Sequence, residues 1–177
     1  DRDVALKLVH PHLRSRADVV ARFEREATLT AKLRHPNAVR IIDFGEDADG
    51  SLFLAMELEP GETLKHTLQR EQRLPTQVAL IITRGIADAL ARAHALGLVH
   101  RDLKPANVIL RADAAPPSPV VIDFGLVKVF DADEDDDDDP TVTRSSVMVG
   151  TPAYMSPEAV LSNDVDGRAD IFSLGIM

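Results

Sequence analysis

Lys7, Glu26, Asp102, Lys104, Asn107 and Asp123 are the residues of this chain whose types and spacing could do chemistry together. Lys7 stands in the apolar run Val4-Ala5-Leu6-Lys7-Leu8-Val9, and Glu26 follows nineteen residues later. Asp102, Lys104 and Asn107 share the segment His100-Arg101-Asp102-Leu103-Lys104-Pro105-Ala106-Asn107, and Asp123 opens Asp123-Phe124-Gly125. A lysine is a flexible point charge that can neutralise phosphate oxygens but needs a carboxylate to hold it, and Glu26 is the natural candidate. Asp123 and Asn107 supply the hard oxygen ligands that magnesium prefers alongside phosphate. Asp102 is an acceptor able to orient a hydroxyl and take its proton, with Lys104 placed to meet a transferring phosphate. The set suits phosphoryl transfer, in which a protein mainly positions groups and neutralises charge. Taken singly, each has a plainer reading: an edge-strand lysine, a glutamate on a solvated helix face, an aspartate or asparagine in a turn.

The elements that must position these groups can be read from periodicity. Val4–Val9 reads as a buried strand. A helix is predicted over 17–33, with Val19, Phe23, Ala27, Thr30 and Leu33 on one face, ending at His35-Pro36-Asn37. Val39–Phe44 and Leu52–Leu58 read as a hairpin turning at Asp47-Ala48-Asp49-Gly50. Pro60-Gly61 breaks the chain before a short helix, Thr63–Glu71. The longest helix runs from Leu74-Pro75-Thr76 to about Leu96, burying Val78, Ile81, Ile82, Ile86, Ala89, Leu90 and Ala93, with Gly97 as its stop. Short strands at 108–110 and 120–122 flank a proline-rich turn, and a final apolar helix covers 168–177. The span 123–157 has little periodicity, and a loop that long is usually functional or disordered. Strands followed by helices point to a small sheet-containing lobe joined at Pro60-Gly61 to a mostly helical one.

Composition narrows the classes. The 177 residues, 45% of them hydrophobic, can fill a core. With no cysteine, disulfides, zinc–thiolate sites and thiol catalysis are excluded. No apolar run is long enough to span a membrane. The net charge of −9 is concentrated in 131–139, where eight acids stand; without them 21 acids face 20 bases. A nearly neutral remainder argues against nucleic-acid binding. The acidic run itself reads most simply as a solvated spacer. The six histidines form no metal-ligand pattern, and His10 and His12 read as surface residues. Both ends lie in apolar runs, so a fragment of a larger fold is expected.

In order and spacing, Val4-Ala5-Leu6-Lys7, Glu26, His100 to Asn107 and Asp123-Phe124-Gly125 resemble the protein kinase signature set. Gly150-Thr151-Pro152-Ala153-Tyr154-Met155-Ser156-Pro157-Glu158 is similar to the segment that closes a kinase activation loop, with Ser156 where many members have Ala. The match is close to the bacterial, eukaryotic-like (Hanks-type) serine/threonine kinases and covers nearly the whole chain. It implies an α+β, two-lobed protein-kinase-like fold truncated at both ends. Residues 1–59 would be a partial N-terminal lobe ending in the hinge, and 60–177 a partial C-terminal lobe with the activation loop at 123–158. The implied activity is transfer of the ATP γ-phosphate to Ser/Thr hydroxyls of proteins, with activation-loop autophosphorylation, ATP and Mg2+ as cofactors, a homodimer for trans-autophosphorylation and a cytoplasmic location. The alternatives are a catalytically weak kinase-like scaffold or nucleotide-binding module, and a metabolite kinase, against which 150–158 speaks.

The resemblance also assigns roles. Lys7 would pair with the α- and β-phosphates and with Glu26, and Lys104 is the Ser/Thr-type choice. Met56 would guard the back of the adenine pocket, with ordinary core filling almost as good a reading, and the backbone of Glu57 to Glu59 would bond adenine. His100 and Phe124 would belong to an internal packing spine, Thr151 would contact Asp102 and Lys104, and Asp170 would hold the catalytic loop. Glu158 would pair with an arginine beyond Met177, and a glycine-rich loop would precede Asp1, so this chain alone is expected to be impaired. Arg101 beside Asp102 calls for an anion, which a phosphate on Thr143, Ser145 or Ser146 would supply.

Overall fold

Side chains along a strand alternate between its two faces, and the first strand, β1 (Val4–Leu8), shows the consequence. A computed structural model describes residues 3–8, 17–48, 50–113, 116–124, 152–161 and 165–177. In it, β1 flanks a three-stranded antiparallel sheet of order β1-β3-β2, with β2 at Ile41–Glu46 and β3 at Leu52–Glu57. Val4, Leu6 and Leu8 are 43%, 58% and 58% exposed, so the expectation of a buried strand is corrected. Helix α1 (Ala17–Lys32) packs on one face only, which receives Ala5 and the half-buried Lys7.

Helix α1 buries Phe23, Ala27 and Thr30, and Leu33 just beyond it, at the predicted spacing. The β2–β3 turn closes through Asp47 N–H to the Ser51 carbonyl (2.8 Å) and Gly50 N–H to the Asp47 carbonyl (2.8 Å).

A second antiparallel sheet has the order β4-β5-β6, with β4 at Gly61–Thr63, β5 at Val108–Arg111 and β6 at Pro119–Val121. Strand β4 is missed by periodicity because three residues cannot display an alternation. It is held by close approach: a Cβ on Gly61 would collide with the Leu110 carbonyl. Thr63 then caps α2 (Leu64–Glu71), its hydroxyl accepting from His66 N–H at 3.2 Å. Helix α3 (Thr76–Ala95) buries Ile82, Gly85, Ile86, Ala89, Leu90 and Ala93, steps of three and one that keep a single stripe. Gly97, at φ +75°, ends the helix as its position predicts. A 3-10 turn at Pro105–Asn107 precedes β5, and another at Pro152–Tyr154 precedes α4 (Pro157–Leu161) and α5 (Gly167–Ile176).

Two cores result. One gathers Phe23, Ala27, Ile41, Leu54, Met56 and Val120; the other gathers α3 with Leu33, Leu103, Val108, Val121 and Phe124. Adjacent residues of β6, Val120 and Val121, thus serve different cores. The segment after α1 is tied to β6 by Val39 N–H to the Val121 carbonyl (2.9 Å), Val121 N–H to the Asn37 carbonyl (2.8 Å) and Asn37 Nδ2 to the Pro119 carbonyl (2.7 Å). Gly85 permits this junction, since a Cβ there would lie 2.7 Å from Pro119 Cγ.

Candidate active site

The loop between α3 and β5 carries Asp102, Lys104 and Asn107, and its backbone is clamped from below. Asp170, 1% exposed on α5, accepts His100 N–H at Oδ2 (2.8 Å) and Arg101 N–H at Oδ1 (2.9 Å). The clamp acts at a costly backbone: Arg101 has φ +68°, and Asp123 φ +62°. Left-handed conformations at residues other than glycine cost about 1–3 kcal/mol each and persist only where surroundings over-determine them.

His100 ties the loop to the segment after β6. Its ring lies fully buried, Nε2 donating to the Ile122 carbonyl (2.9 Å) and Nδ1 accepting from Asp102 N–H (3.3 Å). Desolvation holds its pKa below the usual histidine value, against the opposing pull of Asp170 and the Ile122 carbonyl, so the ring is neutral. It stacks at a tilt on Phe124, with ring centres 5.0 Å apart.

On this support the Asp102 carboxylate is held by two side chains. Lys104 Nζ is 2.7 Å from Oδ2, and Asn107 Nδ2 donates to Oδ2 (3.0 Å) and to the Asp102 backbone carbonyl (2.9 Å). With its Nδ2 so engaged, Asn107 keeps its side-chain oxygen as an acceptor for a cation. Lys7 Nζ lies 3.1 Å from Asp123 Oδ1. A lysine on an edge strand is thereby brought to an aspartate 116 positions away in the chain.

The sequence expectation pairs Lys7 with Glu26; the structure sets Lys7 beside Asp123 and the Glu26 carboxylate 3.8 Å from Arg101 Nη1. Sequence spacing places Glu26 on the inner side of α1 but does not say which of two nearby cations it faces. Arg101 Nε is buried without a hydrogen-bond partner among the described residues.

Met56 lies in the first core, buried with Leu54 and Val120. Glu57 N–H bonds the Arg40 carbonyl (2.9 Å). The Glu59 side chain is taken by Arg111. Glu158 is exposed at the start of α4. Ser156 is buried, and its hydroxyl accepts from Ala159 N–H (3.4 Å) at the start of the same helix. Thr143, Ser145, Ser146, Thr151, the acidic run 131–139, His10 and His12 lie outside the described residues.

Sequence reasoning missed two supports. His94 Nε2 is 2.7 Å from Asp170 Oδ2, and Ser173 Oγ donates to the Tyr154 carbonyl (2.7 Å), fixing the segment before α4 to α5. The one available signal was that His94 precedes His100 by six residues on the helix leading into the loop.

Comparison with known proteins agrees with this arrangement. The family described as "Protein kinase domain" matches residues 1–177. The chain is 40% identical over its full length to the serine/threonine-protein kinase pkn3 of Myxococcus xanthus, covering 32% of that protein. It is 37% identical over 99% of its length to the serine/threonine-protein kinase PknA of Mycobacterium tuberculosis, covering 39% of it. The chain therefore spans well under half the length of these curated relatives. Among solved structures, the Mycobacterium tuberculosis PknI kinase domain superposes with a TM-score of 0.68 at 32% identity, over 97% of this chain and 60% of that one.

Proposed function

Since the chain belongs to the protein kinase domain family, we propose that the protein transfers the γ-phosphate of ATP to serine or threonine hydroxyls of protein substrates. The observation that carries this reading is the Asp102 carboxylate, caught between Lys104 and Asn107 on a loop whose backbone Asp170 fixes. Asp102 accepts the proton of the attacking hydroxyl. Lys104 neutralises charge on the group in transfer, which is where most of the catalytic stabilisation lies.

The residues fit ATP and magnesium. Asp123 sets a hard oxygen beside Lys7, and Asn107 carries another beside Asp102. No cluster of three or more His, Cys, Asp or Glu forms a metal site among the described residues. That suits a magnesium ion held by one or two protein oxygens and by phosphate. Asn107 and Asp123 would hold the cation, Lys7 the phosphates, and the backbone of Glu57 to Glu59 the adenine. When bound, the nucleotide supplies the phosphoryl group and the cation neutralises its charge.

Arg101 supports a regulatory reading. Its Nε–H, buried and without a partner among the described residues, and its loose approach to Glu26 leave room for a stronger anion. A phosphate on Thr143 or Ser145, placed by autophosphorylation within a dimer, would bind Arg101 by charge-assisted bonds and release Glu26 toward Lys7. No described helix is long and apolar enough to cross a membrane, and we place the kinase domain in the cytoplasm.

The test is transfer of labelled γ-phosphate to dephosphorylated casein by the full-length protein with magnesium. Asp102→Asn should cut turnover by about 10² or more while leaving ATP affinity near wild type. Asp123→Asn should weaken magnesium-dependent nucleotide binding and turnover together. Undiminished transfer by the Asp102 variant would overturn the role given to that residue.

A further inference from the structure

Arg111, the last residue of β5, makes three directed bonds that the proposed chemistry does not use. Its Nε donates to Glu59 Oε2 (2.8 Å), its Nη2 to Glu59 Oε1 (3.0 Å) and its Nη1 to the Pro36 carbonyl (3.2 Å). The Glu59 side chain is 4% exposed and that of Arg111 28%. The planar fork of arginine matches a carboxylate in this two-pronged way; an ammonium cannot.

Glu59 and Pro36 lie on two backbone routes that tie the Lys7 sheet to the rest of the molecule, beside the Lys7–Asp123 and Glu26–Arg101 ion pairs. The covalent route runs from β3 through Glu59 to β4, with the Pro60 carbonyl accepting Ala112 N–H (3.2 Å). The non-covalent route is the segment after α1, bonded to β6 through Asn37 and Val39. Arg111 belongs to the second sheet and grips both.

We infer that Arg111 is a positioning residue for phosphoryl transfer: acting through Glu59 and Pro36, it sets the Lys7 sheet against the strands that lead from Asn107 and into Asp123. The inference rests on the kinase reading. A buried ion pair adds little net stability, because desolvation offsets attraction. Three directional bonds do fix a relative orientation. With them, nucleotide meets a cleft already set. Without them, the set arrangement is one of several, and apparent affinity falls by the fraction populated. Turnover at saturating ATP changes less, since bound nucleotide itself spans the two sides.

The experiment uses the full-length protein. Arg111→Met alone strands a buried carboxylate and tests folding as much as position. The deciding variant is therefore Glu59→Leu/Arg111→Met, which removes both charges. Its melting temperature should stay within about 5 °C of wild type, while its KM for ATP rises roughly five- to tenfold and kcat falls by a smaller factor. Hydrogen exchange at the amides of Val39, Ala112 and Val121 should quicken. Arg111→Lys should give an intermediate KM. Arg70→Met, which breaks a surface pair with Glu62, is the control and should change neither reading. A folded double variant with wild-type KM and wild-type exchange overturns the inference, as does an equal rise of KM in the control. If the wild-type protein transfers no phosphate, the kinase reading fails instead, and the exchange measurement still decides on Arg111.

Discussion

Replacing Asp170 by asparagine changes one atom type and should unseat the catalytic loop. Oδ2 of Asp170 takes His94 Nε2 and His100 N–H, and Oδ1 takes Arg101 N–H. Asparagine has one acceptor oxygen, so its NH2 must face at least one of these donors. The cheaper orientation keeps the oxygen toward His94 and His100 and orphans Arg101 N–H, which costs about 1–3 kcal/mol. The two retained bonds lose their charge assistance, roughly 1 kcal/mol each. The sum is about 3–5 kcal/mol, a fall in melting temperature on the order of 10 °C. Arg101, at φ +68°, then loses the contact that secures its strained backbone and relaxes, carrying Asp102 with it. A displacement of about 1 Å at a catalytic group costs about 10² in rate. Thermal melting and labelled phosphate transfer on the full-length protein check both parts. A variant that melts within about 2 °C of wild type and turns over normally would refute the clamp.

Two further outcomes are expected. His100 is buried neutral with its pKa depressed, so as pH falls below about 6.5 the unfolded chain binds a proton that the folded one resists. Stability is then lost on acidification at up to about 1.4 kcal/mol per pH unit; urea unfolding from pH 7 to pH 5 should show this slope in wild type and lack it in His100→Gln, and parallel curves would exclude it. Gly85→Ala gains about 1 kcal/mol of helix propensity but drives a methyl to 2.7 Å from Pro119 Cγ and 3.1 Å from Asn37 Nδ2, so chemical denaturation should show a net loss of about 1–2 kcal/mol.

The chemistry-bearing segments were legible because each is short and ordered along the chain: Asp102, Lys104 and Asn107 sit within six residues, and Asp123-Phe124 directly follows a strand. Helix α3 was legible because its stripe repeats over about three turns, from Ile82 to Ala93, and Gly97 stops it. Partner choice was not. Whether Glu26 faces Lys7 or Arg101 depends on how α1 is seated against the loop, and no local pattern encodes that. The Glu59–Arg111 pair joins residues 52 apart whose neighbours carry no periodic signal. The apolar run of β1 looked buried on both sides because its solvent face lacks polar residues, although only the side bearing Ala5 is covered. Asp170 was found by resemblance, while its partner His94 was passed over as one histidine on a helix.

Strand β6 has a mechanical consequence. Val120 is fixed in one core and Val121 in the other, and the Asn37–Val39 segment is laddered to the same strand. A strand rooted on both sides cannot travel with either half, and pulling the halves straight apart would tear it from one. The remaining low-cost motion is a swing with β6 as the axle. Points near the axle barely move, whereas groups far from it sweep the widest arcs. Distance labels should therefore report little beside Val120 and most toward the end of β1 farthest from it, near Leu8 and the β2–β3 turn.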